Sequence, residues 1–120
     1  MSGEELKKRT KDFAHRCVRL ALALPNTKLG SHVSGQLIRC ATSVAANYRA
    51  VCLAQSRASF ISKLSIVIEE ADESYFWLEF IADEKLLENQ LVEPLLKEAD
   101  QLIAIFITSR KTARSGNNDE

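Results

Sequence analysis

Apolar residues return along most of this chain every three or four positions, the spacing of one face of an α-helix, and four such runs can be separated. The first, Leu6, Thr10, Phe13, Cys17, Leu20 and Leu24, keeps the seven-residue rhythm of a helix packed against near-antiparallel neighbours. In the second, Val33, Leu37, Cys40, Val44, Asn47 and Val51 form one stripe, and Ile38, Ala41, Ala45, Tyr48 and Cys52 form another beside it. Between Ser34 and Gln55 the only formal charges are Arg39 and Arg49, so this helix is apolar nearly all round and needs covering on more than one side. The third stripe is Phe60, Leu64, Val67, Ala71, Leu78 and Ile81. Ile66, Phe76, Trp77 and Phe80 sit to one side of it, beside Glu69 and Glu73, and either widen the core or form an apolar surface patch. Leu95, Ala99, Leu102 and Phe106, flanked by Leu96, Ile103 and Ile107, complete the set.

These runs predict helices over about 4–22, 34–54, 57–82 and 90–112, within a single domain spanning 1–114. The fold class is all-α: an antiparallel up-down-up-down four-helix bundle with Leu20, Val44, Leu64, Leu78 and Leu102 in its core. Leu24-Pro25-Asn26 closes the first helix, and Asn26 to Val33, with Gly30 and Ser31, reads as a turn-rich connection. Ser56 is suited to cap the third helix and Pro94 is tolerable in the opening turn of the fourth, where the first amides lack partners. Residues 115–120 read as a frayed tail.

Composition narrows the possibilities. A chain of 120 residues, 46% hydrophobic and 27% charged, can build one core and no second domain. The uncharged run Cys40 to Tyr48 falls well short of the roughly 20 apolar residues that span a bilayer. With no leader pattern at the amino terminus, the expectation is a cytoplasmic protein that does not enter a membrane. Cys17, Cys40 and Cys52 include no CxxC pair and fall in apolar stripes, so they are expected to be reduced, buried packing groups. His15 and Cys17, two apart, point in different directions, and His32 stands alone, so neither a metal site nor a cofactor is expected.

Charge is balanced in total and segregated along the chain. Lys and Arg number 16, as do Asp and Glu, yet Phe13 to Ile68 holds no acid, while from Glu69 to Asp100 the only cations are Lys85 and Lys97. Such segregation serves pairing between helices, head-to-tail contacts between subunits, or a basic surface for a polyanion. A sequence pI near 6.7 sets the chain apart from the net basic balance of strong nucleic-acid modules. Enzymatic readings find little. A di-iron bundle needs inward acids on all four helices, which the first two lack. There is no Gly-rich phosphate loop, no GxSxG elbow and no nucleophile paired with a histidine.

One stretch carries a resemblance. Gln36-Leu37-x-Arg39, Ala41-Thr42-Ser43-x-x-Ala46-Asn47-Tyr48, Phe60-Ile61-x-Lys63-Leu64-x-Ile66 and Glu70-Ala71-Asp72-Glu73-Ser74 leading to Trp77-Leu78-Glu79 resemble the small bacterial four-helix-bundle proteins encoded in intervening sequences of 23S rRNA genes. The similarity covers roughly Phe13 to Leu102, with Ala50 where the family usually has an acid and Glu69 where lysine is common. Relatives include the accessory protein of diversity-generating retroelements, a five-subunit barrel that binds nucleic acid. The resemblance therefore implies a homopentamer associated with RNA or DNA. Lys8, Lys11, Arg19, Arg39, Arg49 and Arg57 are the candidate phosphate contacts, binding backbone without reading bases. Ile66, Phe76, Trp77 and Phe80, with Ala46 and Ala50 as a small-residue surface that admits a neighbouring helix, are the candidate subunit interface in a ring-like homo-oligomer. The other reading is a non-enzymatic protein-protein scaffold that presents its acidic and aromatic surfaces to another protein and has no nucleic-acid role.

Overall fold

The computed structural model describes residues 1–116, in which four helices follow one another: α1 Gly3–Leu22, α2 Lys28–Cys52, α3 Arg57–Asp83 and α4 Asn89–Ser115. The frayed tail expected over 115–120 lies, from Asn117 onward, outside the described residues. Each start has a local cause. Ser2 and Glu5 form a capping box on α1: the Ser2 hydroxyl accepts from the Glu5 amide and the Glu5 carboxylate accepts from the Ser2 amide, both at 3.1 Å. Those bonds to Ser2 hold the Glu5 carboxyl below its ordinary range. Ser56 caps α3 as expected, its hydroxyl accepting from the Ser59 amide at 3.0 Å.

Two elements depart from the pattern reading. α2 begins at Lys28, six residues before position 34, because the Thr27 hydroxyl accepts from the Gly30 amide and caps a helix there. Gly30 serves close approach and not a turn: a Cβ on it would lie 2.0 Å from the Pro25 carbonyl oxygen. Pro94 lies one and a half turns into α4, past the free opening amides, so it costs the bond that would otherwise return to the carbonyl of Gln90.

The helices pack in sequence, α1 on α2, α2 on α3 and α3 on α4, and α1 also touches α4. The body measures 54 × 20 × 20 Å. Leu20, Val44, Leu64, Leu78 and Leu102 are all buried, along with Phe13, Leu37 and Phe106. Two polar side chains share the core by bonding to their own helices. Thr10 donates its hydroxyl to the Leu6 carbonyl at 2.8 Å and Ser74 donates to that of Glu70 at 2.9 Å. Asn47 and Phe60 sit at the core's edge, half-buried, with the Asn47 amide donating to the Ser43 carbonyl and hydroxyl. Cys52 corrects the expectation for the thiols: Cys17 and Cys40 are buried, but Cys52 is exposed, because the residue of α1 that faces it is Gly3, which has no side chain to cover it.

Candidate nucleic-acid interface

The cations expected to meet phosphates divide into separate groups. Lys8 and Lys11, on the outer face of α1, stand across a groove of about 430 Å³ from Arg49 on α2. Lys7 joins them, and Ala45 and Ala46 keep the floor open. The only acid lining the groove among the described residues is Glu4, held by Lys7 at 2.9 Å. Lys8, Lys11 and Arg49 are exposed and have no ion pair among the described residues. Lys7 was passed over in the sequence although it lies next to Lys8 and one turn before Lys11, a spacing that puts all three on one side of a helix.

Arg19, Arg39 and Arg57 lie elsewhere. Arg19 is exposed beside a groove between α1 and α4 that Arg16, Leu91 and Pro94 also line. Arg39 ties α2 to α3: its guanidinium pairs with Glu73 and, at 3.4 Å, with Glu70, while its Nε donates to Gln36 at 3.4 Å. The Arg39 guanidinium holds the Glu73 carboxyl below the usual carboxylate range, and Glu73 in turn raises Arg39. Arg57 opens α3, with its guanidinium 3.5 Å from the Gly116 carbonyl at the end of α4. Arg9, which no pattern singled out, bridges α1 to α4, donating to Glu98 at 2.7 and 2.8 Å and to Gln101 at 2.7 Å. Its partners are 89 and 92 positions away, and no local spacing could announce them.

The aromatic group divides as well. Trp77 is half-buried at its centre, with Phe76, Phe80 and the edge of His32 at ring distances of 4.9, 5.8 and 5.7 Å, and its indole N–H donates to Glu73 at 3.2 Å. Trp77 and Phe80 widen the core, whereas Phe76 and Ile66 stay 50% and 42% exposed. Ala46 is exposed on α2 and Ala50 half-buried; Ala46 belongs to the basic groove.

Chemistry beyond ion pairing has little material here. Burial pushes the Cys17 and Cys40 thiols up, away from the reactive thiolate. Burial raises the Tyr48 hydroxyl to about 12 beside Cys52. Among the described residues no three His, Cys, Asp or Glu side chains gather as a metal site would require, and no helix is long and apolar enough to cross a membrane.

The model of the family described as 23S rRNA-intervening sequence protein matches residues 4–108. A similar solved structure is the crystal structure of a protein of unknown function from the S23 ribosomal protein family of Bacteroides thetaiotaomicron VPI-5482. It is 33% identical, with a TM-score of 0.85 over 93% of this chain and 100% of that one. No curated protein matches the chain.

Proposed function

The chain belongs to the family of 23S rRNA-intervening sequence proteins, and from that premise we propose that it is a non-enzymatic, homo-oligomeric bundle that associates with RNA or DNA through phosphate contacts in the cytoplasm. In this reading the bundle is antiparallel, up-down-up-down. Supporting that topology, Arg39 of α2 meets Glu70 and Glu73 of α3 while His32, earlier in α2, meets Trp77, later in α3. The connections are short enough to join antiparallel neighbours.

The observation that carries the nucleic-acid reading is the convergence of Lys8, Lys11 and Arg49 from two helices on one open groove with a single, already paired carboxylate. Cations held apart from acids attract a polyanion and release its counterions, whatever its sequence. Arg39 is left out, because its charge is spent on Glu70 and Glu73. The homo-oligomer is supported by Phe76 and Ile66, large apolar side chains of α3 left in water. Closure into a ring, of five subunits by family resemblance, follows if that patch meets a different surface of the next copy.

A salt titration of binding to structured RNA, single-stranded RNA and duplex DNA tests the reading. Binding should weaken steeply with salt for all three. Changing Lys11 and Arg49 together to glutamine should weaken each alike and reduce the slope of log K against log salt by about 1.4–1.8, roughly 0.7–0.9 per lost contact. Undiminished binding by that variant, with its helix content intact, would remove the groove from the site.

A further inference from the structure

The neutral total charge conceals a strongly basic end of the folded body. A cavity of about 570 Å³ at that end is lined from all four helices or their flanks: Met1 and Glu4, Tyr48 and Cys52, Phe60, and Ser109. The bond from Arg57 to Gly116 and that from Arg110 to the Ser65 hydroxyl, at 3.1 Å, bring the start of α3 alongside the end of α4. The segments gathered here, residues 1–11, 44–68 and 98–116, carry ten Lys and Arg against four acids, Glu4, Glu5, Glu98 and Asp100, of which Glu98 is paired with Arg9. Asp119 and Glu120 lie beyond the described residues. Half of the ten cations belong to α3 and α4, away from the α1–α2 groove: Arg57, Lys63, Arg110, Lys111 and Arg114. Lys111 and Arg114 are exposed.

We infer that the end of α4, through Lys111 and Arg114 with Arg57 of α3 beside them, is a second phosphate-contacting surface, and that one nucleic-acid strand runs from the α1–α2 groove across this end of the bundle to reach it. The inference rests on the nucleic-acid reading above and extends it to residues outside the groove. Two surfaces of the same sign at one end of a body 20 Å wide lie within reach of one flexible chain. Along an extended single strand successive phosphates lie about 6 Å apart, well beyond their axial spacing in a duplex, so the crossing takes about three to four nucleotides. A strand also suits the arrangement better than an anionic bilayer does. Lys63 stands six residues beyond Arg57, about 9 Å along the helix, so the cations climb the sides of the body and do not lie in one plane. A strand can follow such a surface; a flat layer of headgroups meets only its tip.

The test uses the full chain with single-stranded RNA of two and of twelve nucleotides, titrated with salt, and with vesicles containing anionic phospholipid as a comparison. Lys111→Gln with Arg114→Gln should weaken the twelve-nucleotide strand several-fold at low salt and flatten its salt slope by about 1.4, as two lost single-strand contacts do. The two-nucleotide strand, too short to reach both surfaces, should lose less. If this variant binds the longer strand as the unaltered chain does while Lys11→Gln with Arg49→Gln does not, the second surface is refuted and the groove reading stands. If the unaltered chain binds neither strand, both readings fall. Vesicle binding that is tighter than RNA binding and lost in the Lys111, Arg114 variant would assign this end to a membrane surface instead.

Discussion

Leu64 shows what one residue decides in this fold. It is buried in the core where α3 meets its neighbours, and a close-packed interior collapses only in part around a lost side chain. Leu64→Ala should cost about 2–5 kcal/mol, seen as a lower urea midpoint with the transition slope preserved; an unchanged midpoint would show that the core has been misassigned. The cysteines make a second contrast at this scale. Cys17 and Cys40 are buried with their thiols pushed up, and Cys52 is exposed. A thiol reagent should therefore label Cys52 quickly in native protein and the other two only on unfolding, as site-resolved mass spectrometry would show. Rapid labelling of Cys17 would mean the core opens far more readily than its packing implies. Periodicity could not separate the three thiols, because a helical stripe says which side a residue faces and not what the neighbouring helix presents there, which for Cys52 is Gly3.

At the scale of elements, helix number and type were legible in the sequence, and the start of α2 was not. Gly30 and Ser31 have turn chemistry, yet Gly30 is helical because only a residue without a side chain fits against the Pro25 carbonyl. The pairing of elements depends on contacts such as Arg39 with Glu70 and Glu73, which join α2 to α3 across more than thirty positions. Glu73 has a depressed folded pKa, so its contribution is full above its unfolded value, near 4.5, and is lost as pH falls through the folded value. Replacing Glu73 with glutamine should lower the urea midpoint near neutral pH, and the gap to the unaltered protein should shrink as the solution is made acid. A gap that stays the same size as the pH falls through and below 4.5 would show that the side chain acts through packing and not through its charge.

For the whole molecule the open question is what covers Phe76 and Ile66. Phe76 and Ile66 are large apolar side chains, 50% and 42% exposed on α3, that a neighbouring copy would cover. Light scattering at micromolar concentration should give a mass several times 13.4 kDa, and Phe76→Glu should yield smaller soluble species with unchanged helix content. A monomer mass for the unaltered chain would refute the oligomer, and an unaffected assembly in the variant would move the interface away from Phe76.

The sequence by itself determined that this is an all-α chain of four amphipathic helices, and which leucines and valines fill its core. Burial follows from periodicity, and periodicity is local: Leu37, Val44, Leu64 and Leu102 announce themselves through neighbours three and four positions away. Only the tertiary structure decided what each charge does. Lys8, Arg39 and Lys111 look alike in the sequence. Folding set Lys8 across a groove from Arg49, spent Arg39 on two glutamates, and gathered Lys111 with the starts of α1 and α3 at a basic end that a neutral composition had hidden. Electrostatic interaction depends on distance in space, and Arg9 and Arg39 both find their acids on another helix.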